Sequence, residues 1–339
     1  MWYVFLDELG SLWYKAEALV VHAPKFLKEI SEGGFMKTIA IANQKGGCGK
    51  TTTAINLSSC LVQRGQKVLL IDCDPQAHAS MGLGVDPEHK RSMYSVMTPR
   101  ESERLAIENI VIPIKENFDL APSNVTLSAV EQEFASLEGR ESKLAQVIDT
   151  LEDSYDYVII DCPPSIGHLC FNALRASGEV IIPIDMSLFS LRGVARLSEL
   201  VMLLKDQCDH KTKPRALVTM YDYRTRYSSH VLEKVKEQFG DGVFDTVIRY
   251  NIRLRETVDH GLPVGDYDKH AIGYKDYDRL AKEIITSQVD TMADVASVLS
   301  SADELWHRPD NHFDAVVEAS ILEENTSEVE DASDTGYTI

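Results

Sequence analysis

The stretch Lys45-Gly46-Gly47-Cys48-Gly49-Lys50-Thr51-Thr52 constrains this chain more than any other. It lies between an apolar run, Lys37–Ala42, and a segment with helical spacing, Thr52–Arg64, whose Ala54, Leu57, Cys60 and Leu61 share one face. A glycine-rich turn between a strand and a helix is what a phosphate-binding loop requires. The glycines let successive backbone N–H groups converge on one point, and the helix aims its positive end there. Lys50 then reaches the β- and γ-phosphates as a flexible point charge, and the Thr51 hydroxyl is placed to ligate Mg²⁺. The loop therefore calls for Mg-ATP.

Downstream, short apolar runs alternate with helical patterns. Strands are expected at Lys67–Ile71, Phe118–Ala121, Tyr157–Ile160, Val180–Ile184 and Arg215–Met220. Helices are expected at Leu127–Leu137, Ser142–Glu152, Leu191–Lys205, Ser229–Phe239 and Tyr274–Ile285, with a last one over 287–302. This order predicts an α/β fold: a single P-loop NTPase domain, with a mostly parallel twisted sheet covered by helices on both faces. The domain is expected to span 36–302. Residues 1–35, rich in Trp, Tyr, Phe and Leu, read as an added helix or as a mis-assigned start before Met36; an interfacial membrane helix fits less well, because Asp7, Glu8 and Glu17 interrupt it.

The formal net charge of -19 argues against nucleic acid as a partner if taken over the whole chain. It is unevenly spread, however. Residues 303–339 hold eleven acids against one base and read as an acidic, disordered tail. Over 222–256, seven bases meet six acids, so that stretch is basic relative to the rest. The six cysteines form no C-x-x-C pair and no zinc spacing, which points to free thiols in a reducing cytoplasm. No apolar run is long enough to span a bilayer, and no stable membrane anchor is expected.

Two further sites carry carboxylates at strand ends, where a parallel sheet opens its ligand crevice. Asp72 and Asp74 close the second strand in Asp72-Cys73-Asp74-Pro75-Gln76, and Asp161 closes the apolar run Tyr157–Ile160 before Cys162-Pro163-Pro164. A strand that ends in Asp is the arrangement that holds Mg²⁺, often through water.

The loop is a variant. The usual motif has a glycine five residues before the Gly of Gly-Lys-Thr; here Gln44 stands in that place and Lys45 follows. The string Gln44-Lys45-Gly46-Gly47-Cys48-Gly49-Lys50-Thr51-Thr52-Thr53 closely resembles the ParA/Soj/MinD family of P-loop ATPases. The resemblance implies that Lys45 crosses a dimer interface to the partner's ATP, so that dimerisation depends on the γ-phosphate. It makes Asp74 the residue that orients the attacking water, with Lys45 and Lys50 as its catalytic companions. It puts Asp161 on Mg²⁺ and Asp72 in support of the Mg²⁺ shell. It also implies that Arg224 and Arg253 bind DNA without sequence preference, a reading favoured here over the alternative that these arginines belong to ordinary surface ion pairs. Pro263 is expected near the adenine with Met220 close by, and Asn251 in the nucleotide pocket or the dimer. The resemblance covers about 36–288 and departs at Ile184-Asp185-Met186-Ser187, where Soj relatives carry a Val-Gln-Cys-Glu-like stretch.

Three functions follow. The first is a nucleoid-associated, ATP-dependent sandwich dimer that binds nonspecific DNA, is stimulated by a ParB-like adaptor, hydrolyses ATP slowly and segregates a chromosome, plasmid or other cargo. The alternative is a membrane-cycling spatial regulator like MinD, which the acidic C-terminus counts against. An iron–sulfur electron donor is disfavoured, because His168 stands where related iron proteins place a ligating cysteine.

Overall fold

In the computed structural model, residues 36–151, 154–187 and 212–287 are described. All of them except Thr286 and Ser287 fall within one compact unit, Met1–Ile285. The expected helices at Leu191–Lys205 and 287–302, and the segments 1–35 and 303–339, lie outside the described residues, apart from Ser287 itself.

Seven strands form one sheet in the order β3-β4-β2-β5-β1-β6-β7. They are β1 Lys37–Ile41, β2 Val68–Asp72, β3 Ile112–Lys115, β4 Phe118–Ala121, β5 Tyr157–Asp161, β6 Glu179–Ile184 and β7 Lys213–Val218. Every pairing is parallel except that of the edge strand β3 with β4. The central strands are apolar between their ends because both faces are covered, with charged residues only at the termini. Alternation sorts their side chains: Ile39, Ile41, Leu70 and Ile159 enter one core, while Ala40, Leu69, Ile71 and Ile160 enter the other.

The first core is closed by α1, Lys50–Gln63, through Ala54, Leu57 and Leu61. A helix over 272–287 adds Tyr277, Leu280 and Ile284 to it. Among the described residues, the helices between these two are, in chain order, α2 His78–Gly82, α3 Met93–Met97, α4 Val130–Glu133, α5 Lys143–Asp149, α6 His168–Arg175, α7 Arg226–Phe239, α8 Arg253–His260 and α9 Val264–Tyr267; the helix over 272–287 is α10. The second core takes Met93 and Val96 from α3, Leu144 and Ile148 from α5, Leu169 and Ala173 from α6, and Val231 and Val235 from α7.

At the end of the sheet opposite the loop, Arg215 is buried against the Phe244 ring, 3.6 Å from guanidinium carbon to centroid. It pairs with Glu179 at 3.4 Å and with Glu283 at 3.3 Å. Glu283 also accepts the backbone N–H groups of Asp245 and Thr246, at 2.9 and 3.0 Å. One carboxylate thus ties α10 to the sheet edge.

Candidate nucleotide site

The loop leaves β1 and enters α1 with Gly47 and Gly49 at φ +74° and +96°, a region that favours glycine. Gly49 precedes α1 and supplies no side-chain cap, and the first turn of α1 holds no acid. The orphan N–H groups and the positive helix end therefore face the cavity rather than a protein carboxylate.

Three neighbouring strand ends brace the loop. Asn43 accepts the Lys45 N–H at 3.0 Å while donating to the Pro183 carbonyl at 2.7 Å. The Thr219 hydroxyl donates to the Cys48 carbonyl at 2.8 Å. Cys48 is fully buried, and burial raises its thiol pKa, so it packs beneath the loop rather than reacting. The Lys50 ammonium curls back to the Lys45 carbonyl at 3.1 Å.

A cavity of about 750 Å³ opens over this loop. Gly46, Gly47, Gly49, Lys50, Thr51 and Thr52 form its floor, and Asp74 and Pro164 stand on its wall. Met220, with φ +54°, and Asn251 line it as well. Pro263 is outside the lining; it precedes α9, and the next residue's N–H donates to Asn56 of α1 at 2.7 Å. Sequence reasoning missed Leu254, Thr257 and Leu262, which do line the cavity and come from or follow α8.

Lys45 is not among the lining residues. Its ammonium lies 2.7 Å from Asp185 Oδ1 and 2.5 Å from Ser187 Oγ. Both partners belong to the stretch where the sequence departs from the family it resembles.

Asp72 and Asp161 sit side by side in register at the ends of β2 and β5. They are fully buried, yet they differ in partners. Asp72 Oδ2 accepts the N–H and the hydroxyl of Ser80, both at 2.8 Å, and Oδ1 accepts the Asp74 N–H at 3.1 Å. Among the described residues, neither buried oxygen of Asp161 is met by a hydrogen bond of good geometry, with the Thr51 hydroxyl acting on it as a donor. Burial, then Asp72, push its carboxyl well above the usual range, against the opposing pull of Thr51 and Lys50. Burial pushes Asp72 up to about 6, less far because Ser80 and the Asp74 amide stabilise its charge.

Two orphaned carboxylate oxygens beside Thr51 suit a hard cation. Among the described residues, no group of three acidic, His or Cys side chains gathers around a metal. Mg²⁺ keeps waters and binds through one or two carboxylates plus substrate phosphates, so Asp161 beside Thr51 is a donor set of the kind it takes.

Two glycines bring the segment after Asp74 against the segment after α8. A Cβ on Gly261, after α8, would lie 2.8 Å from the Cα of Gly84, after α2. Backbone touches backbone there.

Arg224 and Arg253 lie on the surface, both already paired. Arg224 bonds Asp222 through Nε at 2.9 Å and Nη2 at 2.7 Å, which holds that carboxyl down at about 2. Arg253 meets Glu256 at 2.6 Å and Asp268 at 3.7 Å. Exposed Tyr223, Tyr250 and Ile252 belong to the same two segments.

A parallel sheet with a glycine loop feeding a helix, a lysine in its floor and a bare carboxylate at the next strand end define a P-loop nucleoside triphosphatase. A family model described as an AAA domain matches residues 36–214. The sporulation initiation inhibitor protein Soj of Bacillus subtilis is 40% identical over 250 residues, covering 73% of this chain and 98% of that one. The chain belongs to the ParA/Soj family of partitioning ATPases. The chromosome partitioning protein ParA of Caulobacter vibrioides is 37% identical over 265 residues, covering 77% of this chain and 98% of its own length. Among solved structures, the cobyrinic acid a,c-diamide synthase of Mycobacterium smegmatis, with bound ATP analogue and magnesium, matches with TM-score 0.66 and 30% identity, covering 74% of this chain and 94% of its own.

Proposed function

We propose that this chain is an ATP-operated switch for DNA or cargo partition. Mg-ATP sits in the cavity, with its phosphates on the loop amides and Lys50. Thr51 and Asp161 hold Mg²⁺, and Asp72 supports the shell of that ion from the neighbouring strand while its own oxygens anchor Ser80. The metal, when bound, neutralises charge that develops on the phosphoryl oxygens. Asp74, on the cavity wall, orients the attacking water, so catalysis rests on positioning and charge.

The observation that carries the reading is the direction of Lys45. It follows Asn43 into the loop, yet its ammonium is drawn away from its own cavity to Asp185 and Ser187. A lysine so placed serves a phosphate best from the other side of an interface. Two copies then close face to face, each Lys45 exchanging its carboxylate for the partner's ATP, and the timing of hydrolysis sets the life of the dimer.

The dimer binds DNA through Arg224 and Arg253. Phosphate must displace Asp222, Glu256 and Asp268 from these guanidinium groups, so binding is weak per site and depends on two copies acting together. An adaptor of the ParB kind stimulates hydrolysis and release, and the working location is the nucleoid in the cytoplasm.

Retention on nonspecific duplex DNA in the presence of ATP, ADP or no nucleotide tests this. Retention is expected with ATP alone, falling steeply with salt and lost in Arg253→Glu while the ATP-dependent dimer persists. Equal retention in all three states, or an unaffected Arg253→Glu, would refute the DNA arm.

A further inference from the structure

The helix that follows the Asp161-Cys162-Pro163-Pro164 turn begins without a cap of its own. The residue before α6 is Gly167, which has no side chain to offer. The cap arrives from 37 residues away in sequence: Glu131 Oε2 accepts the His168 N–H at 2.7 Å, and Oε1 accepts the Leu169 N–H at 3.0 Å. A carboxylate at a helix N-terminus, accepting two orphan amides, is favourable in both hydrogen bonding and dipole. The fit leaves no room for a side chain at 167, where a Cβ would lie 2.4 Å from both carboxylate oxygens.

This clamp has a particular place in the site. The segment 162–167 leaves β5 immediately after Asp161 and ends at the two amides that Glu131 holds. Pro163 and Pro164 stiffen its first half. Pro164 stands on the wall of the nucleotide cavity, on the same cavity as Lys50 and Asp74. Ser165 and Ile166 are exposed and contribute no described side-chain hydrogen bond that could replace the clamp. Glu131 itself rides on α4 between Val130 and Phe134, both fully buried in the second core. The carboxylate is therefore fixed to the body of the domain, and it fixes the far end of the loop.

We propose that Glu131 is a positioning residue for ATP hydrolysis: by clamping His168 and Leu169 it sets where Pro164 and the 162–167 loop stand against the nucleotide. This rests on the reading of the cavity as an ATPase site. Glu131 touches neither the cavity nor the phosphates, so its loss should leave nucleotide affinity intact. What it changes is the fraction of time the loop holds its reactive geometry, and a displacement of about 1 Å can cost as much as a hundredfold in rate.

The test uses the full chain with Glu131→Gln, which keeps the size but turns an amide N–H toward a backbone N–H, and Glu131→Ala as a second variant. Single-turnover hydrolysis of Mg-ATP is measured beside ATP affinity, with amide hydrogen exchange reporting residues 165–175. The expected result is faster exchange at His168 and Leu169 alone, a hydrolysis rate down roughly tenfold, and ATP affinity within about twofold of the parent. An unchanged rate despite faster exchange would overturn the proposal. So would equal losses of rate and of bound ATP per chain, which mark a fold defect. Lys50→Ala is the separate control: if it retained ATP, the site reading itself would fail, whatever Glu131 does.

Discussion

Asp161 concentrates the chemistry of this site in one side chain. Two like charges in register on adjacent strands, both buried, raise each other's cost, and the hydrogen bonds that offset it gather on Asp72, with Thr51 and Lys50 acting on Asp161. A cation beside Asp161 reverses that penalty. Replacing Asp161 by Asn should therefore raise the thermal midpoint of the protein without nucleotide by a few degrees, while Mg²⁺ should no longer tighten ATP binding. A lower midpoint, or Mg²⁺-dependent tightening that survives, would contradict this account. The loop residues and Asp74 were legible in the sequence because their spacing is local and fixed. Asp72 was legible only as an acid at a strand end; its bond to Ser80 is a tertiary fact. The expectation of free thiols agrees with five unpaired, buried cysteines among the described residues. Burial pushes Cys60 up to about 12, so it packs rather than reacts.

Elements were read best where a continuous apolar run ends in a turn. All five expected strands after the loop exist within one or two residues at each end. The edge strand β3 escaped notice because Ile112–Lys115 is short, includes Pro113, and is nowhere fully buried. The expected helix at Leu127–Leu137 is a 3₁₀ turn, Val125–Ala129, running into the short α4. Asn124 caps that turn through the Thr126 N–H. Helix α6 was missed since its cap is remote, and α8 because only Thr257 of its residues is buried, leaving no apolar stripe to detect. Helix α10 was found by its pattern, but its fastening was not. Truncating Glu283 to Ala strands the Asp245 and Thr246 N–H groups and half of the support of buried Arg215. A loss of about 2–4 kcal/mol is expected in urea unfolding; a loss under about 1 kcal/mol would show that water replaces the carboxylate.

For the whole molecule, the question is how many copies act together. The exposed Met81 of α2 lines the nucleotide cavity, on the side a face-to-face dimer would cover. Asp74→Ala should slow hydrolysis and leave the dimer standing. With ATP, light scattering should then report twice the mass of the single chain, and with ADP the single chain. A single-chain mass in ATP would dismiss the sandwich. The basic stretch at 222–256 was visible against the global charge, whereas the carboxylates paired with its arginines became evident only once 222, 256 and 268 were placed in space.

The meeting of Gly84 and Gly261 carries a mechanical consequence. Side chains cushion most contacts between neighbouring helices, and a cushion absorbs small displacements by changing rotamer. Here none intervenes, and a Cβ at 261 would fall 2.8 Å from the opposite Cα. The segment after Asp74 and the helix that begins at Arg253 thus mesh like gear teeth cut without backlash. At that contact a shift of a few tenths of an ångström meets backbone rather than a side chain that could turn aside.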